Sequence, residues 1–164
     1  MMFLDSSDVF PGEGIITFDP VAKKDPRGRM SRPWWVIGTI EGDIVKYYSW
    51  FLQRKHGIRL QSPAWGPHIS IVRGEETTLD IWEQFKKKYD QMPFKFVYKV
   101  SLRTNGDHWW MNVDCDFLTE FRLEMGYPEE SEYGFHLTLG MPTPLHLEQS
   151  KNIWRSYKKR LNLH

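Results

Sequence analysis

The chain has 164 residues, 40% of them hydrophobic and 26% charged, a composition typical of one globular domain that can bury a core, so a single domain over residues 1–164 is expected. Its 22 basic and 21 acidic residues give a formal net charge of +1, which argues against a protein that coats long nucleic acid, because that affinity comes from neutralising many phosphates. The absence of a run of about 18 uncharged apolar residues and of a signal-peptide pattern, together with a single cysteine, predicts a cytoplasmic protein without a membrane span or a disulfide.

The first half of the chain predicts the order strand, strand, helix, strand, helix. Residues 14–18 and 34–40 are rich in β-branched and aromatic side chains, as strands are. Residues 43–57 show an apolar stripe at helical spacing, with Asp43 suited to begin the helix and Gly57 to end it. An alternating strand at 68–72 and an amphipathic helix over 78–91 follow.

The second half repeats this alternation. Strands over 94–104 and 108–115 are joined by Asn-Gly-Asp, a hairpin signal, and a helix over 116–126 precedes a strand over 135–140. A last helix begins near Thr143, which suits its N-cap. The order β-β-α-β-α-β-β-α-β-α predicts a pseudo-symmetric α+β protein with two lobes and a cleft between them.

One connection is unusually long. Residues 19–33 are polar and contain several prolines and glycines. A segment of this length is either disordered or a functional lid or binding loop, and the sequence leaves both possibilities open.

A short motif occurs once in each half. Of six histidines, only His68 and His136 are followed by the pattern aliphatic, hydroxyl, aliphatic: "HISI" in the first half and "HLTL" in the second. Chance predicts roughly 0.02 such matches in a chain of this composition. The repetition therefore favours a shared role over two unrelated strand histidines, which is the alternative.

The spacing within each motif has a direct structural meaning. Because side chains alternate between the two faces of a strand, His68 and Ser70 share one face, and so do His136 and Thr138. Two such strands side by side would bring two imidazoles and two hydroxyls together. A neutral imidazole can accept a proton from an attacking hydroxyl, and a protonated one can donate a proton to the departing oxygen, while hydroxyl groups hold a phosphate. This set predicts metal-free cleavage of a phosphodiester.

A metal site is the rival interpretation. His68, His136, Asp114 and Cys115 would have to converge, but no close His or Cys pair has zinc spacing, and residues 113–116 are better explained as a strand end followed by a helix cap. We therefore expect neither a metal nor another cofactor.

The two His-x-Ser/Thr strands and the order of elements resemble the 2H phosphoesterase superfamily, from about residue 14 to the last helix. The resemblance implies a two-lobed fold with antiparallel sheets lining a central cleft and helices packed outside. It also implies that His68 and His136 form an acid–base pair, that Ser70 and Thr138 bind phosphate, and that no metal is obligatory. Which histidine is the base stays open.

Within that superfamily, the small size, near-neutral charge and many aromatic residues are similar to the phage anti-CBASS nucleases, which destroy cyclic oligonucleotide immune signals. This likeness implies a small cyclic or linear ribonucleotide substrate, no long nucleic acid, a monomer, and action in the host cytoplasm if the protein is viral. Beside the motifs, Arg73 could meet a phosphate, and Trp65 and Tyr133 could stack on bases. Each of these three has a plain alternative as a solvated or packing residue.

Two other functions use the same residues. The protein could open terminal 2′,3′-cyclic phosphates of RNA, or it could bind and sequester nucleotides without cutting them. The motifs do not separate these functions from cleavage of a cyclic oligonucleotide.

Overall fold

The computed structural model describes residues 8–21 and 33–161, which form an α+β fold, as predicted. Its antiparallel sheet has eight strands: β1 Val9–Phe18, β2 Trp35–Ile40, β3 Leu60–Gln61, β4 His68–Arg73, β5 Pro93–Lys99, β6 Arg103–Thr104, β7 Trp109–Asp114 and β8 His136–Pro142. The α-helices in these residues are α1 Gly42–His56, α2 Leu79–Tyr89, α3 Asp116–Glu124 and α4 Leu147–Arg160.

The sheet closes on itself. The strand order is β3-β8-β4-β2-β1-β5-β7-β6, and β8 also pairs with β7, so six strands form a ring. The α+β class and the antiparallel pairing are therefore as predicted, but the sheets predicted to line a central cleft form one closed ring instead. The reason is β8, which pairs with β4 along one edge and with β7 along the other and so joins the two halves of the chain. Closure also leaves fewer unpaired strand edges exposed.

The two faces of this sheet have different surroundings. One face, called here the helix face, carries buried apolar side chains that contact three helices. Phe18 packs against α2, Phe94 against α3 and Tyr98 against α1, with ring centroids 5.0, 6.1 and 6.1 Å from those of their partners. The opposite face, called here the motif face, carries His68 and its companions.

Two helix boundaries are as predicted. Gly57 follows α1 in the left-handed conformation that glycine tolerates, and the Thr78 hydroxyl caps α2 by accepting the Ile81 N–H. Asp43 and Asp116, predicted as caps, lie instead within the first turns of α1 and α3. A carboxylate is still favourable there, because the helix N-terminus carries partial positive charge.

The other differences are local. β1 begins earlier than predicted, and the strand predicted over 94–104 is divided into β5 and β6, although the hairpin between β6 and β7 is present. The chain after Thr143 first forms a 3₁₀ turn, Pro144–His146, before α4 begins. The connection predicted over 19–33 lies mostly outside the described residues.

No helix within residues 8–21 and 33–161 combines the length and the apolar character that crossing a membrane requires.

Candidate active site

The two motif strands are neighbours in the ring. β4 and β8 run antiparallel, with Ile69 opposite Leu137, and both of these side chains are fully buried on the helix face. Continuing the register by one position in each direction sets His68 opposite Thr138 and Ser70 opposite His136. Because alternate residues share a face, all four side chains lie on the motif face in a two-by-two block, with the histidines on one diagonal.

The strands on either side of this pair place one further polar residue opposite each histidine. On β2, Thr39 is opposite His68, and on β7, Asn112 is opposite His136. Each imidazole thus lies between two polar residues, one of which is the hydroxyl of the other motif. In the part of the chain that the structure describes, the Ser70 and Thr138 hydroxyls have no hydrogen-bond partner, so both can receive a ligand.

A glycine two residues before each histidine orients the imidazole. The His68 Nδ1 lies 2.7 Å from the Gly66 carbonyl oxygen, and the His136 Nδ1 lies 3.3 Å from that of Gly134. A carbonyl only accepts, so Nδ1 carries the hydrogen and the lone pair of the neutral ring is on Nε2. Both glycines have positive φ, 77° and 64°, a conformation that favours glycine. The repeat therefore extends to Gly-x-His.

Each motif contains a β-bulge at the same position. Against β2, β4 has one extra residue, Ile71, and against β7, β8 has one extra residue, Leu139. Both lie three positions after their histidine, and both are 1% exposed. The second aliphatic residue of each motif is thus the bulged one, and its burial accounts for its apolar character. The two copies share this feature of backbone geometry as well as their residues.

The first bulge moves Arg73 to the site. Simple alternation from His68 would turn Arg73 to the helix face, with Ile69 and Ile71. The extra residue reverses this, and Arg73 pairs with Trp35 on the motif face. The second copy has Met141 at the corresponding position, so the block receives one guanidinium group, from the first copy.

The site favours neutral imidazoles. Burial lowers the pKa of His68 below its ordinary value, against the effect of the Gly66 carbonyl, and the charges of His136 and Arg73 lower it further. Burial likewise lowers the pKa of His136, with Arg73 and His108 acting in the same direction. Arg73 therefore lies close enough to act on both rings.

These shifts predict the pH dependence of any acid–base catalysis here. The reactive free protein needs one neutral and one protonated imidazole, a form that is most populated between the two pKa values, both below 6.5. We expect kcat/KM to peak below pH 6.5 and to fall about tenfold per pH unit well above the peak. Arg73→Ala should move the profile towards higher pH, because it removes a charge that lowers both pKa values. A wild-type maximum above pH 8 would contradict this assignment.

Aromatic rings border His68. Trp65 packs edge-on against Trp35 at 4.8 Å, and Trp35 packs edge-on against His68 at 6.1 Å. Both indole N–H groups are buried without a hydrogen-bond partner among the described residues. The structure thus places Trp65 one ring away from the imidazole. Tyr133, at the equivalent position of the second copy, is 70% exposed.

Sequence reasoning missed two residues beside His136. The Trp110 ring lies 6.3 Å from the His136 ring, and Asn112 is its partner on β7. Their alternation along a strand is visible in the sequence, but no local signal shows that this strand lies beside β8. His108, interpreted from the sequence as a hairpin residue, does lie in the turn before β7, yet its charge acts on His136.

The residues of the rival metal site are engaged elsewhere. The Cys115 thiol donates to the Lys95 carbonyl oxygen at 3.3 Å, and Asp114 pairs with Lys99 at 3.4 Å. Across the described part of the chain, no group of three His, Cys, Asp or Glu side chains is placed to hold a metal ion.

Comparison with known proteins adds no relative: no family model matches the sequence, and no curated protein or solved structure is significantly similar to it. The interpretation of the site therefore depends on its own geometry.

Proposed function

We propose that the protein is a metal-independent phosphodiesterase that cleaves small ribonucleotides. We also propose that the halves of the chain that carry β4 and β8 correspond to the two lobes of the 2H phosphoesterase fold. The observation that carries the proposal is the pairing of Ile69 with Leu137, because it sets two histidines and two hydroxyls on one face. The carbonyl bonds at both Nδ1 atoms support it, since they leave both Nε2 atoms for proton transfer.

The chemistry needs two proton transfers. One Nε2 removes the proton from the ribose hydroxyl next to the phosphodiester, and that oxygen attacks phosphorus. The other Nε2–H protonates the oxygen that leaves, and the products are a 2′,3′-cyclic phosphate and a free hydroxyl. His68 and His136 are equivalent enough in geometry that either assignment of base and acid fits.

The remaining polar groups are suited to bind the phosphate and stabilise its transition state. Ser70 and Thr138 donate hydrogen bonds to the non-bridging oxygens, whose charge grows in the transition state. Arg73 supplies a permanent positive charge on the same face. The positive charges of one guanidinium and one imidazolium can stabilise the negative charge on the phosphoryl oxygens of a diester, so the proposed reaction needs no metal cation.

The most specific form of the proposal is a cyclic oligonucleotide substrate, cleaved in the cytoplasm, as expected of a viral protein that evades a bacterial immune signal. Support for the small substrate comes from the net charge of +1 and from aromatic rings at both motifs.

The test is a substrate panel in EDTA. We expect the protein to linearise at least one cyclic di- or trinucleotide, followed by chromatography and mass spectrometry, at a rate that added divalent cations do not raise. Terminal 2′,3′-cyclic phosphates on short RNA form the second part of the panel.

The outcomes separate the alternatives. Turnover of terminal cyclic phosphates alone would replace the proposal with RNA-end processing. Recovery of intact nucleotide from a tight complex after long incubation would show a binding protein. Activity that EDTA abolishes would contradict the metal-independent chemistry.

A further inference from the structure

Arg122, on α3, is a fully buried arginine whose donors reach the chain around Arg73. Its side chain is 0% exposed. Its Nε donates to the Pro128 carbonyl oxygen at 2.8 Å, and one terminal nitrogen donates to the Ile71 carbonyl oxygen at 2.7 Å. The two terminal nitrogens also bind both carboxylate oxygens of Glu75, at 2.8 and 2.5 Å.

These contacts hold the chain on both sides of Arg73. Ile71, two residues before it, is the bulged residue of β4, and Glu75, two residues after it, accepts the Arg73 backbone N–H at 3.4 Å. We infer that Arg122 is a positioning residue, which holds the bulge at Ile71 and thereby keeps Arg73 on the motif face. Its effect on a phosphate rests on the proposed function.

Arginine is suited to this task. Its planar fork binds a carboxylate with two parallel bonds and still has donors for two carbonyls, which a lysine cannot do. A buried ion pair often adds little stability compared with apolar packing. The geometry of the Arg122–Glu75 pair is therefore better evidence for its role than any contribution to stability. Without the bulge, alternation would direct Arg73 to the helix face, beside the fully buried Ile69.

The first test needs no enzymatic activity. The pKa values of His68 and His136 are measured by NMR titration in wild type, Arg122→Lys, Arg73→Ala and the double variant. The charged groups that act on these rings are Arg73 for both, His136 for His68, and His108 for His136. We expect Arg122→Lys to raise both pKa values by at least half as much as Arg73→Ala does, and the double variant to match Arg73→Ala.

The second test measures kcat/KM on the substrate found in the panel. Arg122→Lys should lower it about 10- to 100-fold when Arg73 is present and by less than about twofold in the Arg73→Ala background. Glu124→Gln is the matched control, because Glu124 forms an ion pair from the same helix, with Lys88, that does not contact β4. It should change neither quantity.

If Arg122→Lys does not fold, Glu75→Gln is used instead, since it weakens the fork and keeps the bond to Ile71; it should shift both pKa values in the same direction. Unchanged pKa values in a folded variant would overturn the inference even if the protein is a phosphodiesterase. If Arg122→Lys shifts the pKa values of His68 and His136 as expected but the protein cleaves nothing, the inference is supported and the proposed function is rejected.

Discussion

His68→Ala and His136→Ala should each lower the rate of cleavage about 100- to 10,000-fold, since each removes one of the two proton transfers of the proposed reaction. The geometry predicts effects of similar size, because both rings lie on one face and both are held by a glycine carbonyl. The double variant should lose far less than the product of the single losses, because the two groups act in one reaction. Single-turnover rates in EDTA measure all three.

The matched control is His146→Ala. This histidine lies in the 3₁₀ turn before α4, where its Nδ1 contacts the Thr143 hydroxyl, and it has no place in the block. It should retain wild-type activity. Full activity in either motif variant would show that the chemistry lies elsewhere, and unchanged circular dichroism would show that a loss is not due to unfolding.

The four motif residues were predictable because strand alternation is a local property. His68 and Ser70 share a face in any regular strand, and so do His136 and Thr138. That β4 and β8 pair with each other is a long-range property, set by burial of Ile69 against Leu137 and by the ring of strands around them. Antiparallel sheets lining a cleft were predicted instead of a closed ring, because nothing local shows that β8 has partners on both edges.

Arg73 was a candidate only because it follows the first motif. The alternation that placed the block correctly would have placed Arg73 on the wrong face, and only the bulge at Ile71 explains its position. The bulge in turn depends on contacts with Arg122, far along the chain. The sequence does place Arg122 on the apolar stripe of its helix, beside Leu118 and Phe121, where an arginine is unusual. That is a signal for burial but not for a partner.

A substrate that lacks the hydroxyl next to the phosphodiester should bind but not be cut. In the proposed reaction this hydroxyl is the nucleophile and is held beside phosphorus, an advantage equivalent to an effective concentration of about 10⁵ M or more. Replacing it by hydrogen leaves water as the nucleophile, so we expect no detectable linearisation of an all-2′-deoxy ring with 3′–5′ linkages. Its affinity should change little, because in the proposed reaction Ser70, Thr138 and Arg73 contact the phosphate rather than the sugar.

A mixed ring gives the sharpest form of this test. In a 3′–5′-linked cyclic dinucleotide with one ribose and one deoxyribose, only the linkage at the ribose 3′-oxygen should break, and ³¹P NMR should detect a 2′,3′-cyclic phosphate on that nucleotide. For 2′–5′ linkages, the 3′-deoxy analogue has the same purpose. Equally fast cleavage at the deoxyribose 3′-oxygen would show that the nucleophile is water or a protein group, and His68 and His136 would then need different roles. Cleavage confined to the linkage at the ribose 3′-oxygen would assign the nucleophile to the substrate, which distinguishes this reaction from the opening of a terminal cyclic phosphate, where water attacks.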